Sequence, residues 1–175
     1  CHNEFLVWKS CDGQSASGYQ KMKISPHFSL DEMIKSQTAL RKGLDNNPDA
    51  EQLEALVDLC EYVLEPIRKH WSRPVIVSSA FRAPAVNKAI GSKNTSQHTK
   101  GQAADIEIPG IDNLALYYWV AKNADYDQLI LEYYTGEPAS GWVHVSYAGA
   151  GNRHQTLRID KGGVSRETIP HSKAA

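Results

Sequence analysis

The stretch Ser96-Gln97-His98-Thr99-Lys100-Gly101-Gln102-Ala103-Ala104-Asp105-Ile106-Glu107-Ile108 constrains this chain more than any other. It sets an imidazole and a carboxylate seven residues apart, and Trp142-Val143-His144-Val145-Ser146 adds a second imidazole inside an apolar, β-type run. A fold that gathers the three has a metal site of two His and one carboxylate. That set leaves a fourth position open, as a catalytic zinc needs, whereas structural zinc sites close all four positions with Cys-rich sets. Cysteine offers no competing site: only Cys1, Cys11 and Cys60 exist, with no CxxC spacing. Gly101, followed by the small Ala103 and Ala104, lets the backbone turn tightly between His98 and Asp105, so the segment joining them need not be helical.

The surrounding elements follow from periodicity. Ser29 is placed to cap a short helix over Leu30 to Ser36. Asn47-Pro48-Asp49 opens a long helix whose apolar positions 53, 56, 57, 60, 63, 64 and 67 form one stripe, with Pro66 bending or ending its last turns before Trp71. Arg73 to Ser79 is a β-branched strand, Pro84 starts a short helix through Asn87 to Ile90, and Asp112 caps a helix from Asn113 to Lys122.

Gln128 to Tyr134 and Trp142 to Tyr147 read as an antiparallel hairpin. Alternation puts Leu129, Leu131, Tyr133, Val143, Val145 and Tyr147 on a core face, and Glu132, Trp142, His144 and Ser146 on the other. A symmetric turn centred on Pro138 sets Glu132 opposite His144, with Cβ atoms about 4.5–5.5 Å apart. Gln155 to Asp160 is expected as an edge strand, with His154 a surface or cleft-rim residue.

The 175 residues fit one domain. Residues 1–21 read as a loosely attached extension, 22–160 as the domain and 161–175 as a frayed tail. A net charge of −1 and a pI near 6.7 give no field that would draw nucleic acid or an acidic membrane. No run of 18 apolar residues marks a membrane span, and no export signal is visible.

Ser79-Ala80-Phe81-Arg82, Asn87, the intact Ser-x-His-x-x-Gly-x-Ala-x-Asp of residues 96–105, and Trp142-Val143-His144 resemble the zinc D-Ala-D-Ala carboxypeptidase family of metallopeptidases, which includes related peptidoglycan endopeptidases. The resemblance covers roughly Ile24 to Ile159. It implies an α+β fold shared with Hedgehog-type domains: a single domain whose central antiparallel sheet carries the zinc on one face, with helices, the long one foremost, packed on the other. It implies one Zn2+ on His98, Asp105 and His144, with Arg82, Ser96, Asn87 and Trp142 at the substrate and Arg82 contacting either the substrate's terminal carboxylate or the polarised scissile carbonyl.

The expected activity is hydrolysis of peptidoglycan stem peptides by metal-activated water, at a D-Ala-D-Ala end or at an L-Ala-D-Glu type bond. A monomer acting in the periplasm or cell wall is expected, either a phage or prophage lysin without a signal or an exported bacterial enzyme.

One position departs from the family. Many relatives carry the general base three residues before the last His ligand, where this chain has Gly141; others use a His two before it, where this chain has Trp142. The hairpin argument nominates Glu132 instead, as base or as a carboxylate orienting His144. The alternative is a catalytically silent, zinc-stabilised cell-wall-binding or phage structural module, since Hedgehog-type domains keep the metal and act by binding.

Overall fold

The computed structural model describes residues 22–170. The expected extension over residues 1–21, with Cys1 and Cys11, lies outside them, as do residues 171–175. Helices α1 (Leu30–Met33) and α2 (Gln37–Lys42) precede a long helix built from α3 (Ala50–Leu59), a π-helical turn (Cys60–Leu64) and α4 (Glu65–Trp71). Then follow β1 (Ile76–Ser79), α5 (Pro84–Ala89), a 3-10 turn (Gln97–Lys100), β2 (Ala103–Glu107), α6 (Asn113–Asn123), β3 (Gln128–Glu132), β4 (Trp142–Ser146), β5 (Gln155–Asp160) and β6 (Gly163–Glu167).

The helix starts obey local chemistry. The Ser29 hydroxyl accepts from the Glu32 N–H, although the first helix stops at Met33 and Ser36 caps a second one not expected from the sequence. Asp49 and Gln52 close a capping box at α3. Leu56, Leu59, Cys60, Val63, Leu64 and Ile67 are all fully buried, each contributing about 1.5–3 kcal/mol for a Leu, Ile or Val side chain. Pro66 does not end the helix. The wide turn before it, marked by the Glu65 N–H reaching the Cys60 carbonyl, gives the ring room against the preceding carbonyls.

The strands form one sheet in the order β1-β2-β4-β3-β5-β6. The α+β reading stands, but the sheet is mixed rather than wholly antiparallel, because β5 pairs with β3 in parallel. β5 is interior, and the edge is β6, so the stretch expected to fray after Asp160 is paired as far as Glu167.

The β3–β4 register also differs. Glu132 pairs with Trp142, and Ile130 with His144, so the connection centres on Glu137 rather than Pro138. The loop is asymmetric because Tyr133 and Gly141 both adopt positive φ and Gly136 turns the chain between them. A two-residue shift preserves faces, so Glu132 stays on the His144 side.

One face of the sheet, through Ala104, Ile106, Leu129, Leu131, Val143 and Val145, joins the core with Leu56, Leu59, Leu116, Tyr117 and Val120 of the helices. On the other face Asp105, His144 and Ile130 lie in one row across β2, β4 and β3.

Candidate functional site

His98, Asp105 and His144 come to one point from three different elements. The 3-10 turn carrying His98 is ended by Gly101 at φ +72°, where a Cβ would sit 2.3 Å from the Gln52 carbonyl oxygen of α3. Only glycine permits this approach. The Arg82 N–H donates to the His98 carbonyl at 3.1 Å, fixing the turn to the end of β1. Asp105 sits in the second-innermost strand β2, where a β-bulge between Val77 and Ser79 puts the Ser78 hydroxyl on the Asp105 carbonyl at 3.1 Å.

The donor atoms form a small triangle. His98 Nε2 is 3.2 Å from His144 Nδ1 and 3.3 Å from Asp105 Oδ1, and His144 Nδ1 is 2.9 Å from the same Oδ1. All three residues are buried, at 3%, 8% and 8% exposure for His98, Asp105 and His144. Metal–ligand distances of about 2.0–2.1 Å imply edges of about 3.3 Å between the ligands of a tetrahedral zinc, so the triangle fits three corners of such a site.

The tautomer fits as well. His98 Nδ1–H donates to the Ala80 carbonyl at 2.6 Å, which leaves the Nε2 lone pair facing the triangle. Burial pushes the His98 imidazole below its ordinary pKa and keeps it neutral. Burial acts to raise Asp105, but the hydrogen bond from His144 outweighs it and holds the carboxyl well below the usual range. A neutral imidazole and an ionised carboxylate are the states a metal requires.

Arg82 braces this set. Its Nη2 donates to Asp105 Oδ2 at 2.7 Å and to His98 Nε2 at 3.0 Å, while Nε donates to the Ser79 hydroxyl at 2.8 Å. The triangle lies in a cleft of about 710 Å³ that Arg82, Ser96, Glu132 and Trp142 also line. Asn87 does not. It is 1% exposed, and its Nδ2 donates to the Lys93 carbonyl at 2.9 Å, a bond that pins the loop leading to His98.

Glu132 is half-buried in the cleft, and desolvation pushes its carboxyl above the ordinary range. Gly141 carries no alternative acid. At φ +65°, a Cβ there would lie 1.9 Å from the Glu132 carbonyl oxygen, so the loop excludes a side chain at that position.

Sequence reasoning missed the ion pair that holds Arg153 at the cleft. Asp127, 2% exposed, accepts from the Arg153 N–H at 3.0 Å and from Arg153 Nε at 2.8 Å and Nη2 at 2.6 Å, and from Gln97 Nε2 at 2.9 Å. Arg153 lines the cleft; His154, its neighbour, bonds Asp125 instead. An Asp directly before a strand gives no signal of such a role.

A family model described as Peptidase M15 matches residues 26–146. None of the curated proteins compared with the chain matches it.

Proposed function

The chain belongs to the Peptidase M15 family, and from that premise we propose that it is a zinc metallopeptidase hydrolysing peptide bonds in peptidoglycan stem peptides. The observation that carries the reading is the triangle of donor atoms on His98, Asp105 and His144, 2.9–3.3 Å apart in a cleft that also holds Glu132. These three residues would hold one zinc. Bound there, zinc supplies a Lewis acid that polarises a peptide carbonyl and makes water nucleophilic near neutral pH.

The remaining roles belong to the chain's own side chains. Glu132, on the face of His144 and raised in pKa by burial, accepts the proton that the attacking water gives up and returns it to the leaving amine. Arg82 holds Asp105 in place through Nη2 and brings a permanent positive charge to the cleft wall, where it faces the substrate's carbonyl or carboxylate. Ser96 and Trp142, which line the same cleft, border the substrate.

The Ala80 carbonyl and Arg82 orient the ligands, so that the site is formed before substrate arrives. The bond cut is at the D-Ala-D-Ala end or of the L-Ala-D-Glu type, and the place of action is the periplasm or cell wall. Among the described residues no helix is long and apolar enough to cross a membrane.

The backbone at Gly141, which excludes an acid from the place where many relatives carry their base, favours a second reading: a zinc-stabilised module that binds wall peptides without cutting them. One experiment separates the two. Zinc-loaded protein is incubated with purified sacculi and with a pentapeptide ending in D-Ala-D-Ala, with and without a chelator, and the products are weighed by mass spectrometry. Chelator-sensitive loss of one alanine supports a carboxypeptidase, and release of peptides from glycan an endopeptidase. Unchanged substrates with one zinc bound leave the binding module.

A further inference from the structure

We propose that Arg153, held in place by the buried Asp127, is the anion-recognition residue of the cleft and selects peptides that carry a carboxylate away from the bond to be cut. The inference rests on the peptidase reading for its substrate class, a peptide, and deepens it by one specificity determinant.

Arg153 is an exposed residue with the hydrogen bonding of a buried one. Its side chain is 56% exposed, yet Nε and Nη2 both engage a carboxylate whose own side chain is 3% exposed, at 2.8 and 2.6 Å. The backbone N–H of the same residue donates to that carboxylate at 3.0 Å, so the side chain is folded back over its own main chain and locked.

A guanidinium has five N–H donors in a planar fork. Asp127 takes the edge formed by Nε and Nη2; no hydrogen bond among the described residues takes Nη1. The opposite edge, formed by Nη1 and Nη2, is the one a second carboxylate can meet with two parallel bonds. Because the side chain is immobilised beforehand, little of its rotamer freedom remains to be lost on binding.

The placement is tied to the catalytic end of the cleft. Asp127 Oδ2 also accepts from Gln97 Nε2, and Gln97 precedes His98 in the 3-10 turn, so one buried carboxylate fixes both the ligand-bearing turn and the rim arginine. The exposed Lys93 lines the same cleft, on the loop that Asn87 pins. Arg82, the other cation of the lining, is engaged beside the triangle by Asp105 and Ser79, so Lys93 and Arg153 are the cations of the lining that serve a carboxylate away from the bond to be cut. Leu157, Ile159 and Val164 of β5 and β6 give the adjoining wall an apolar surface for an aliphatic side chain.

The carboxylate can come from a peptide C-terminus or from an acidic residue within the chain, and three peptides of one length distinguish them. The first has a free C-terminus and no acidic residue; the second is amidated and carries one glutamate; the third is amidated and neutral. Dissociation constants are measured by calorimetry on the zinc-loaded protein. In the wild type one charged peptide binds about 10–100-fold tighter than the neutral one, the range for a charge-assisted pair of hydrogen bonds. Which of the two it is identifies the source.

Arg153→Ala reduces that preference to less than about threefold, and Arg153→Lys retains part of it. Because Arg153→Ala strands the buried carboxylate of Asp127, the double variant Asp127→Asn/Arg153→Ala, which removes both charges, is measured beside it and loses the preference too. A wild type that does not discriminate, or a preference that survives in both variants, overturns the proposal. Hydrolysis is scored separately on sacculi and the pentapeptide ending in D-Ala-D-Ala: discrimination without cleavage there refutes the peptidase reading and leaves this one, and cleavage without discrimination does the reverse.

Discussion

Replacing Glu132 by Gln removes the proposed proton acceptor while leaving shape and the hydrogen-bonding oxygen. The register fixes how it acts. Glu132 lies two residues along β3 from Ile130, which is the direct partner of His144. Same-face neighbours on a strand are about 6.6–6.8 Å apart, and diagonal cross-strand Cβ pairs somewhat over 7 Å at most, so a Glu side chain reaches back to about one water from the triangle. That suits a proton shuttle, and the group of ligand atoms lying within 4.8 Å of one another is His98, Asp105 and His144, without Glu132.

Loss of a general base costs about 10²–10⁴ in rate, or about 2.7–5.4 kcal/mol at 1.36 kcal/mol per decade. The assay is kcat/KM on the peptide that the wild type cuts, with zinc measured in the same sample by mass spectrometry. The expected variant binds one zinc and is slower by that factor. The pH profile adds a second readout. Only ionised Glu132 accepts a proton, so wild-type kcat/KM falls as pH drops through the pKa of Glu132 in the zinc-loaded enzyme, and Glu132→Gln loses that limb. A variant that keeps more than a tenth of the activity, or that loses its zinc, refutes the base assignment.

Further outcomes follow from the same geometry. Gly141→Ala forces a Cβ into the Glu132 carbonyl at positive φ, and should lower stability by at least about 2 kcal/mol in urea denaturation; an unchanged midpoint would show that the loop is not held as described. Zinc at a thousand times its Kd stabilises by about 4.1 kcal/mol, so chelation should lower Tm by about 8–16 °C for a domain of this size, a shift that calorimetry detects and that a metal-free fold would not show. Asp105→Asn should weaken zinc binding by more than the roughly 10–100-fold that losing a supporting group costs, and leaves Arg82 without its buried counter-charge. The depressed pKa of Asp105 gives the metal-free wild type stability that is present above about pH 4 and is lost as pH falls below it; acid titration of the Asp105→Asn protein should lack that component.

The parts of the site legible in the sequence were those encoded by residue type and by strand parity. Two imidazoles and a carboxylate in the Ser96–Asp105 segment and in β4 required only that the chain bring them together, and the period-two pattern put Glu132 and His144 on one face whichever even register the hairpin took. The register itself depends on loop backbone at Tyr133, Gly136 and Gly141, where positive φ at a tyrosine carries no sequence signature. Non-local pairing was equally hidden. Nothing in Gln155 to Asp160 says that it runs parallel to β3, or that Gly163 to Glu167 covers its far side. Asn87 and Asp127 were opaque for another reason: each is a polar residue whose partners, the Lys93 carbonyl and Arg153, are set by tertiary packing.

A single zinc held by His98, Asp105 and His144 is tested most directly by X-ray absorption at the zinc edge. One equivalent of zinc with two imidazole nitrogens and oxygen at about 2.0–2.1 Å, and no sulfur shell, is the expected spectrum, changing in His144→Ala by the loss of one imidazole. A sulfur shell, a spectrum unaltered in His144→Ala, or no retained zinc would contradict it.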